Sequence, residues 1–509
     1  MSDESSTGTE GLDPSDAIEY GIDEKPPAGE SAVLGVQHYL TMVGANIAVP
    51  LILAEAMGMP ADVTARFVGT FFVVSGIATL AQTTIGNRYP IVQGAPFSML
   101  APALAIVGVV TAADFGGNWE IALVQLQGAI IVAAMVQVAM GYFGLVGKVK
   151  RFLSPVVIAP TIALIGLALF DAPQITSTDG SWWLLGLTVA LIVGFSQYLD
   201  IKHRAFKLYP VILALAISWL VAAGLSVQGT FGDGHPGYVP LGQVTDTTFI
   251  LPIYPLQWGM PEVTAAFIVG MFAGVLASIV ESLGDYYAVA NITGSAAPSE
   301  QRINHGIGME GLMNVFSGIM GTSGSTSYSE NIGAIGLTSV ASRYVVQVGA
   351  VIMLFVGFIG YFGQLIATIP DPIVGGLFVA MFAQIVAVGI SNLKHVDLDS
   401  SRNVFVIGFA MFVGLAIPEY MGNVGSAEEF RAVMESVAVL GPVLSEQVIA
   451  DTVFVIGSTG MAVGGLAALV LDNTIPGTRE ERGLAEWQRL TEDDEEFEPF
   501  WERWTGSDN

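Results

Sequence analysis

Glu281 and Asp285 are the acidic residues of Glu281-Ser282-Leu283-Gly284-Asp285-Tyr286-Tyr287, which follows an uncharged apolar run from Met271 to Val280. Four residues apart on a helix, the two carboxylates leave from one face. At a wet helix end they would merely be solvated. At depth in a long apolar span they cannot both stay ionised cheaply, so at least one holds a proton near neutrality. That chemistry suits carriage of a proton together with a solute. A second group is Glu330-Asn331, which follows the small and hydroxylated run Gly324 to Ser329. A carboxylate, an amide and the free N–H groups of a first helical turn set acceptors beside donors. A flat heterocycle bearing lactam N–H and C=O would match them. Gln37-His38 in the first apolar run and Glu310 at the start of the ninth complete the polar groups that need partners at depth.

These residues need elements to hold them. Apolar runs recur from Ala32 to about Leu471, so the chain reads as a polytopic membrane protein. Spans are predicted at 34–57, 63–85, 99–110, 121–146, 152–170, 182–199 and 209–225, then at 263–289, 311–322, 332–337, 344–369, 373–393, 404–417 and 453–471. The run 332–337 is too short to cross a bilayer. With the polar stretch before it, it reads as a half-helix beginning at depth, against the alternative of a polar loop. An odd number of spans in each half inverts the second half relative to the first, as in many secondary transporters. The first half then needs a counterpart to 324–337. Tyr89-Pro90-Ile91-Val92-Gln93-Gly94-Ala95-Pro96-Phe97-Ser98 supplies it: extended by Pro and Gly, it leads into a short apolar helix, and Phe97 could stack on a ring bound opposite. The polar segment 227–262 reads as an extracellular loop or exposed hairpin.

Charge agrees with this layout. The net charge is −27, concentrated in acidic tails at 1–31 and 475–509 that read as solvated, and it disfavours nucleic acid as a partner. So acidic a surface also suggests a high-salt cytosol. Lys25, Arg88, Lys148, Lys150, Arg151, Lys202, Arg204, Lys207, Arg302, Arg343, Lys394, Arg402 and the tail arginines fall on one side of the layout; only Arg66 and Arg431 fall opposite. Positive charge collects in cytoplasmic loops, which puts both termini in the cytoplasm of a multi-pass plasma-membrane protein. The absence of cysteine excludes disulfides and thiolate chemistry. No enzyme motif is present, no cofactor is implied, and the scattered histidines imply no metal cluster.

Three motifs together resemble the nucleobase–ascorbate transporters, the second family of nucleobase:cation symporters. Gln37-His38 is similar to the family's first-span pair and Glu281 to Tyr287 to its eighth-span motif. Glu330-Asn331-Ile332-Gly333-Ala334-Ile335-Gly336-Leu337-Thr338 is similar to its signature. The resemblance covers about 32–471. It implies an all-α protein of fourteen spans in two inverted repeats of seven, with short strands in spans three and ten. A core domain (32–148 and 263–370) would move like an elevator against a gate domain (149–226 and 371–474), commonly in a homodimer. Glu281 and Glu330 would hydrogen-bond the base and Phe97 would lie against it. Ser98, Ser329 and Asn331 would complete the binding group. Gln37, His38, Asp285 and Glu310 would support the site or the proton relay. The motifs point to different branches: Glu330 looks like the uracil branch, whereas Asp285 stands where that branch tends to have His. Ser339 follows Thr338 where many members carry Arg or Lys.

The expectation is a cation-coupled importer of uracil or a xanthine-type base, with protons favoured over sodium because carboxylates cluster at the site. The rivals are an anion exchanger or channel on a related fold, a receptor or scaffold, and ascorbate transport. Fixed carboxylates at the site argue against an anionic solute.

Overall fold

A computed structural model of the chain describes residues 18–111, 118–146, 152–170, 172–176, 181–199, 202, 204–245, 247–439, 441–484 and 497. Most of the two acidic tails, with Lys148, Lys150, Arg151, His203, Arg489 and Arg503, lies outside them.

The first half runs α1 (Ala28–Met57), α2 (Ala61–Thr84), β1 (Gln93–Gly94), α3 (Leu100–Thr111), α4 (Trp119–Tyr142), α5 (Pro155–Leu167), α6 (Trp182–Val193) and α7 (Pro210–Val227). The second runs α8 (Ala265–Ile292), α9 (Glu300–Met320), β2 (Thr326–Ser327), α10 (Ser329–Thr338), α11 (Arg343–Phe358), α12 (Asp371–Ser391), α13 (Ser401–Val424) and α14 (Gly460–Thr474), besides shorter helices. Among the described residues seven helices are long and apolar enough to cross a membrane. Gln447–Gly457 and α14, bent by 94°, make an eighth if taken together. Phe355, Phe412 and Val470 project outward and are more than half exposed, as a lipid-facing surface requires.

Packing sorts the helices into two groups. In one, α4 lies on α9 as α2 lies on α11, and α1 lies on α11 as α8 lies on α4. In the other, α5 packs on α12 and α13, α12 on α6, α6 on α7, and α13 on α14. Each contact recurs when the elements of one half are exchanged for those of the other.

At the centre of the first group both halves abandon helix. Pro90 and Pro96 lack the N–H that a helix interior needs, and Gly324 sits at φ 116°. The two extended segments satisfy each other: β1 pairs antiparallel with β2, Gln93 opposite Ser327 and Gly94 opposite Thr326. Gly94 cannot be larger, because a Cβ there would collide with the Tyr328 ring. From this crossing α3 and α10 depart as short helices.

Several expectations need correction. The segment at 18–25, read as solvated tail, is a strap. Glu19 N–H donates to the Ser339 carbonyl at 2.7 Å and Ala341 N–H to the Tyr20 carbonyl at 2.8 Å. Asp23 pairs with Arg343 at 2.6 Å and Arg88 at 3.6 Å, both arginines being buried. The C-terminal segment likewise begins docked, Arg482 pairing with Asp472 at 2.6 Å. No hairpin forms among the described residues of 227–262; turns, a short helix at Leu241–Thr245 and the buried Trp258 stand there instead. Glu310 does not begin a span but lies midway along α9, fully buried.

Candidate substrate site

The strand crossing is held by amide side chains. Asn331, in the first turn of α10, accepts from the Val92 N–H at 2.8 Å, and its Nδ2 lies 2.9 Å from His38 Nδ1 on α1. Asn46, just over two turns further along α1, accepts from the Ala95 N–H at 2.8 Å, while the Tyr328 hydroxyl donates to the Ala95 carbonyl. Thr79 of α2 accepts from the Gln93 N–H at 2.8 Å. Each backbone group secured in this way avoids the cost of an unpaired polar atom at depth.

Beside the crossing lies a cavity of about 690 Å³. Glu281, Asp285, Ser329, Glu330 and Phe97 all contribute to its wall. Helical spacing puts Glu281 and Asp285 on one face of α8, and α10 brings Glu330 to meet them. Glu281 Oε2 is buried without a hydrogen-bond partner among the described residues, an acceptor that a bound donor would satisfy. The cavity reaches Lys207 and Lys394, the side on which the sequence collects its basic connections.

Behind the wall runs a chain of hydroxyls. Asp285 accepts from Ser329 Oγ at 2.6 Å and from Ser327 Oγ at 2.7 Å. Ser327 Oγ lies 2.8 Å from Ser282 Oγ, and Ser282 donates to Glu310. Gln137 Nε2 and Ser278 also donate to Glu310, at 3.0 and 2.8 Å. Asp285 is therefore not a wet residue at a helix end: it is 3% exposed and its two acceptor oxygens are engaged.

The predicted binding residues thus divide. Glu281, Glu330, Phe97 and Ser329 reach the cavity. Asn331 and Ser98 are fully buried and absent from its wall, Asn331 because Val92 and His38 occupy its amide. Gln37, His38 and Glu310 also stand behind the wall. Asn46 was missed by sequence reasoning; its signal was an amide alone in the apolar stretch from Met42 to Val49.

Half-helices crossing at depth over an acidic cavity, in a chain of apolar helices, define a membrane transporter rather than an enzyme. A family model described as "Permease family" matches residues 29–422. Solute carrier family 23 member 2 of Mus musculus is 40% identical over 527 residues, covering 95% of this chain and 78% of that protein. Nucleobase-ascorbate transporter 12 of Arabidopsis thaliana is 34% identical over 517 residues, covering 92% and 72%. The chain belongs to the nucleobase–ascorbate transporter family. Its fold is similar to that of the transmembrane domain of the cyanobacterial bicarbonate transporter BicA, with a TM-score of 0.52 at 16% identity, covering 86% of this chain and 99% of that one.

Proposed function

We propose that the protein imports a nucleobase, uracil or a xanthine-type base, by symport with protons across the plasma membrane. The observation that carries this reading is the convergence of Glu281 and Glu330 with the Phe97 ring on one cavity. Carboxylate oxygens accept from lactam N–H groups, the first-turn N–H groups of α10 can donate to ring carbonyls, and an aromatic face suits a planar ring. A fixed carboxylate at Glu330 opposes an anion such as ascorbate, and the likeness to a bicarbonate transporter is one of fold alone.

Proton rather than sodium coupling is supported by a hydrogen count. Between Glu310 and Asp285 stand two hydroxyls, Ser282 and Ser327, and three contacts. Two hydroxyl hydrogens cannot fill three hydrogen bonds between two bare carboxylates. One added proton fills all three, and shifting every hydrogen one place moves it from Glu310 to Asp285 beside the cavity.

The exchange symmetry of the packing supports fourteen spans in two inverted repeats of seven. In this reading α1–α4 with α8–α11 form a core that moves like an elevator against a gate of α5–α7 and α12–α14. Both termini are cytoplasmic and the unit is a homodimer. Equilibrium binding of labelled uracil and xanthine to the purified protein tests the assignment. Glu281→Gln is expected to weaken binding of the accepted base by 10-fold or more while the protein still folds. Unchanged binding would remove Glu281 from the site.

A further inference from the structure

A second cavity, of about 890 Å³, lies at the other end of the helices that line the first. On α1 the first is lined by Leu40 and Thr41 and the second by Ile52 and Glu55, about 16 Å further along the axis. The two approach most closely elsewhere. On α5 Ile165 faces the first cavity, and Ala168, just past the helix end, faces the second. Phe97 faces the first, and Ala101 on α3 the second. Along α5 the separation is three residues, about 5 Å.

At this level, among the described residues, one aromatic contact joins the two packing groups. The Phe97 and Phe382 rings meet edge to face with centroids 6.1 Å apart, and Phe378 stacks behind Phe382 at 5.5 Å. Phe382 is fixed in height by Gly166, where a Cβ would press on the Phe382 carbonyl oxygen, so α12 crosses α5 between Ile165 and Ala168. Phe382 is 5% exposed and Phe378 0%.

We infer that the Phe97–Phe382 contact is the barrier between the two cavities. A ring against a ring forms a dry seal that reopens by sliding, since it contains no hydrogen bond to break. The inference goes beyond the substrate reading and does not depend on which base is carried.

The natural absence of cysteine permits a direct test on the full chain in sealed vesicles. Ile162→Cys places a thiol in the first cavity and Leu104→Cys places one in the second. A charged, membrane-impermeant methanethiosulfonate is applied from the side on which the Leu104→Cys thiol reacts. The Ile162→Cys thiol is expected to react slowly from that side, and at least 10-fold faster when Phe382→Ala is added. Phe382→Leu, which keeps more packing, is expected to give a smaller rise of about 3-fold and serves if the alanine variant fails to fold. An Ile162→Cys rate unchanged by whichever variant folds, with Leu104→Cys still reactive, would overturn the barrier.

Discussion

His38 Nδ1 and Asn331 Nδ2 lie 2.9 Å apart, joining α1 to α10 across 293 residues of sequence. The same amide accepts from Val92, so one side chain links the first helix, the strand of the first half and the half-helix of the second. Asn331→Ala leaves the Val92 N–H and a His38 nitrogen buried without partners, at about 1–3 kcal/mol each. The expected outcome is a lower thermal midpoint and at least a 10-fold loss of base binding, although Asn331 does not touch the cavity. Thermal unfolding and equilibrium binding on the same preparation check both.

Ser282→Ala removes the middle hydroxyl between Ser327 and Glu310 and leaves Glu281 and Glu330 in place. Base binding is expected to stay within about 3-fold of the parent, while gradient-driven uptake falls by 10-fold or more. Comparing binding with proton-driven uptake in vesicles separates the two. Equal losses in both would make Ser282 a packing residue.

Asp472 offers a contrast far from the cavity. Its carboxylate is fully buried, pairs with Arg402 at 2.9 Å and Arg482 at 2.6 Å, and accepts from Ser154 Oγ at 2.7 Å. Asp472→Ala removes the shared carboxylate of two largely buried guanidinium groups, a loss of about 3–5 kcal/mol. A marked fall in thermal midpoint with unchanged binding at low temperature is expected. A selective loss of binding in a stable variant would contradict it.

The membrane helices were legible because apolar length is a one-dimensional signal. The strand crossing was legible because Pro90, Gly94, Pro96 and Gly324 write their backbone constraints locally. Glu310 was misplaced for the opposite reason. Polar residues and glycines interrupt the apolar run before 311, but Gly306, Gly308 and Gly311 are close-packing sites, where a Cβ would meet Tyr286, Tyr142 and Val138. Only those distant neighbours reveal that α9 continues through them. The strap at 18–25 was hidden likewise: Asp23 finds Arg343 320 residues away, and no spacing announces such a pair. Ser339, at φ 60°, turns its carbonyl to the strap, which gives a structural role to the residue that follows the signature threonine.

The N-terminal strap carries its own prediction. Asp23→Ala removes the carboxylate from two buried arginines, but Asp23 itself is 63% exposed, so the loss should be modest, about 1 kcal/mol. Thermal midpoints of parent and variant, at low and high salt, are expected to converge as salt screens the parent's ion pairs.

Uptake of labelled uracil and labelled xanthine by vesicles, with and without a protonophore and with sodium removed, tests the central claim most directly. The account predicts saturable uptake of one base that the protonophore abolishes and sodium removal leaves intact. Uptake of neither base, or uptake that follows sodium and ignores the protonophore, would contradict it.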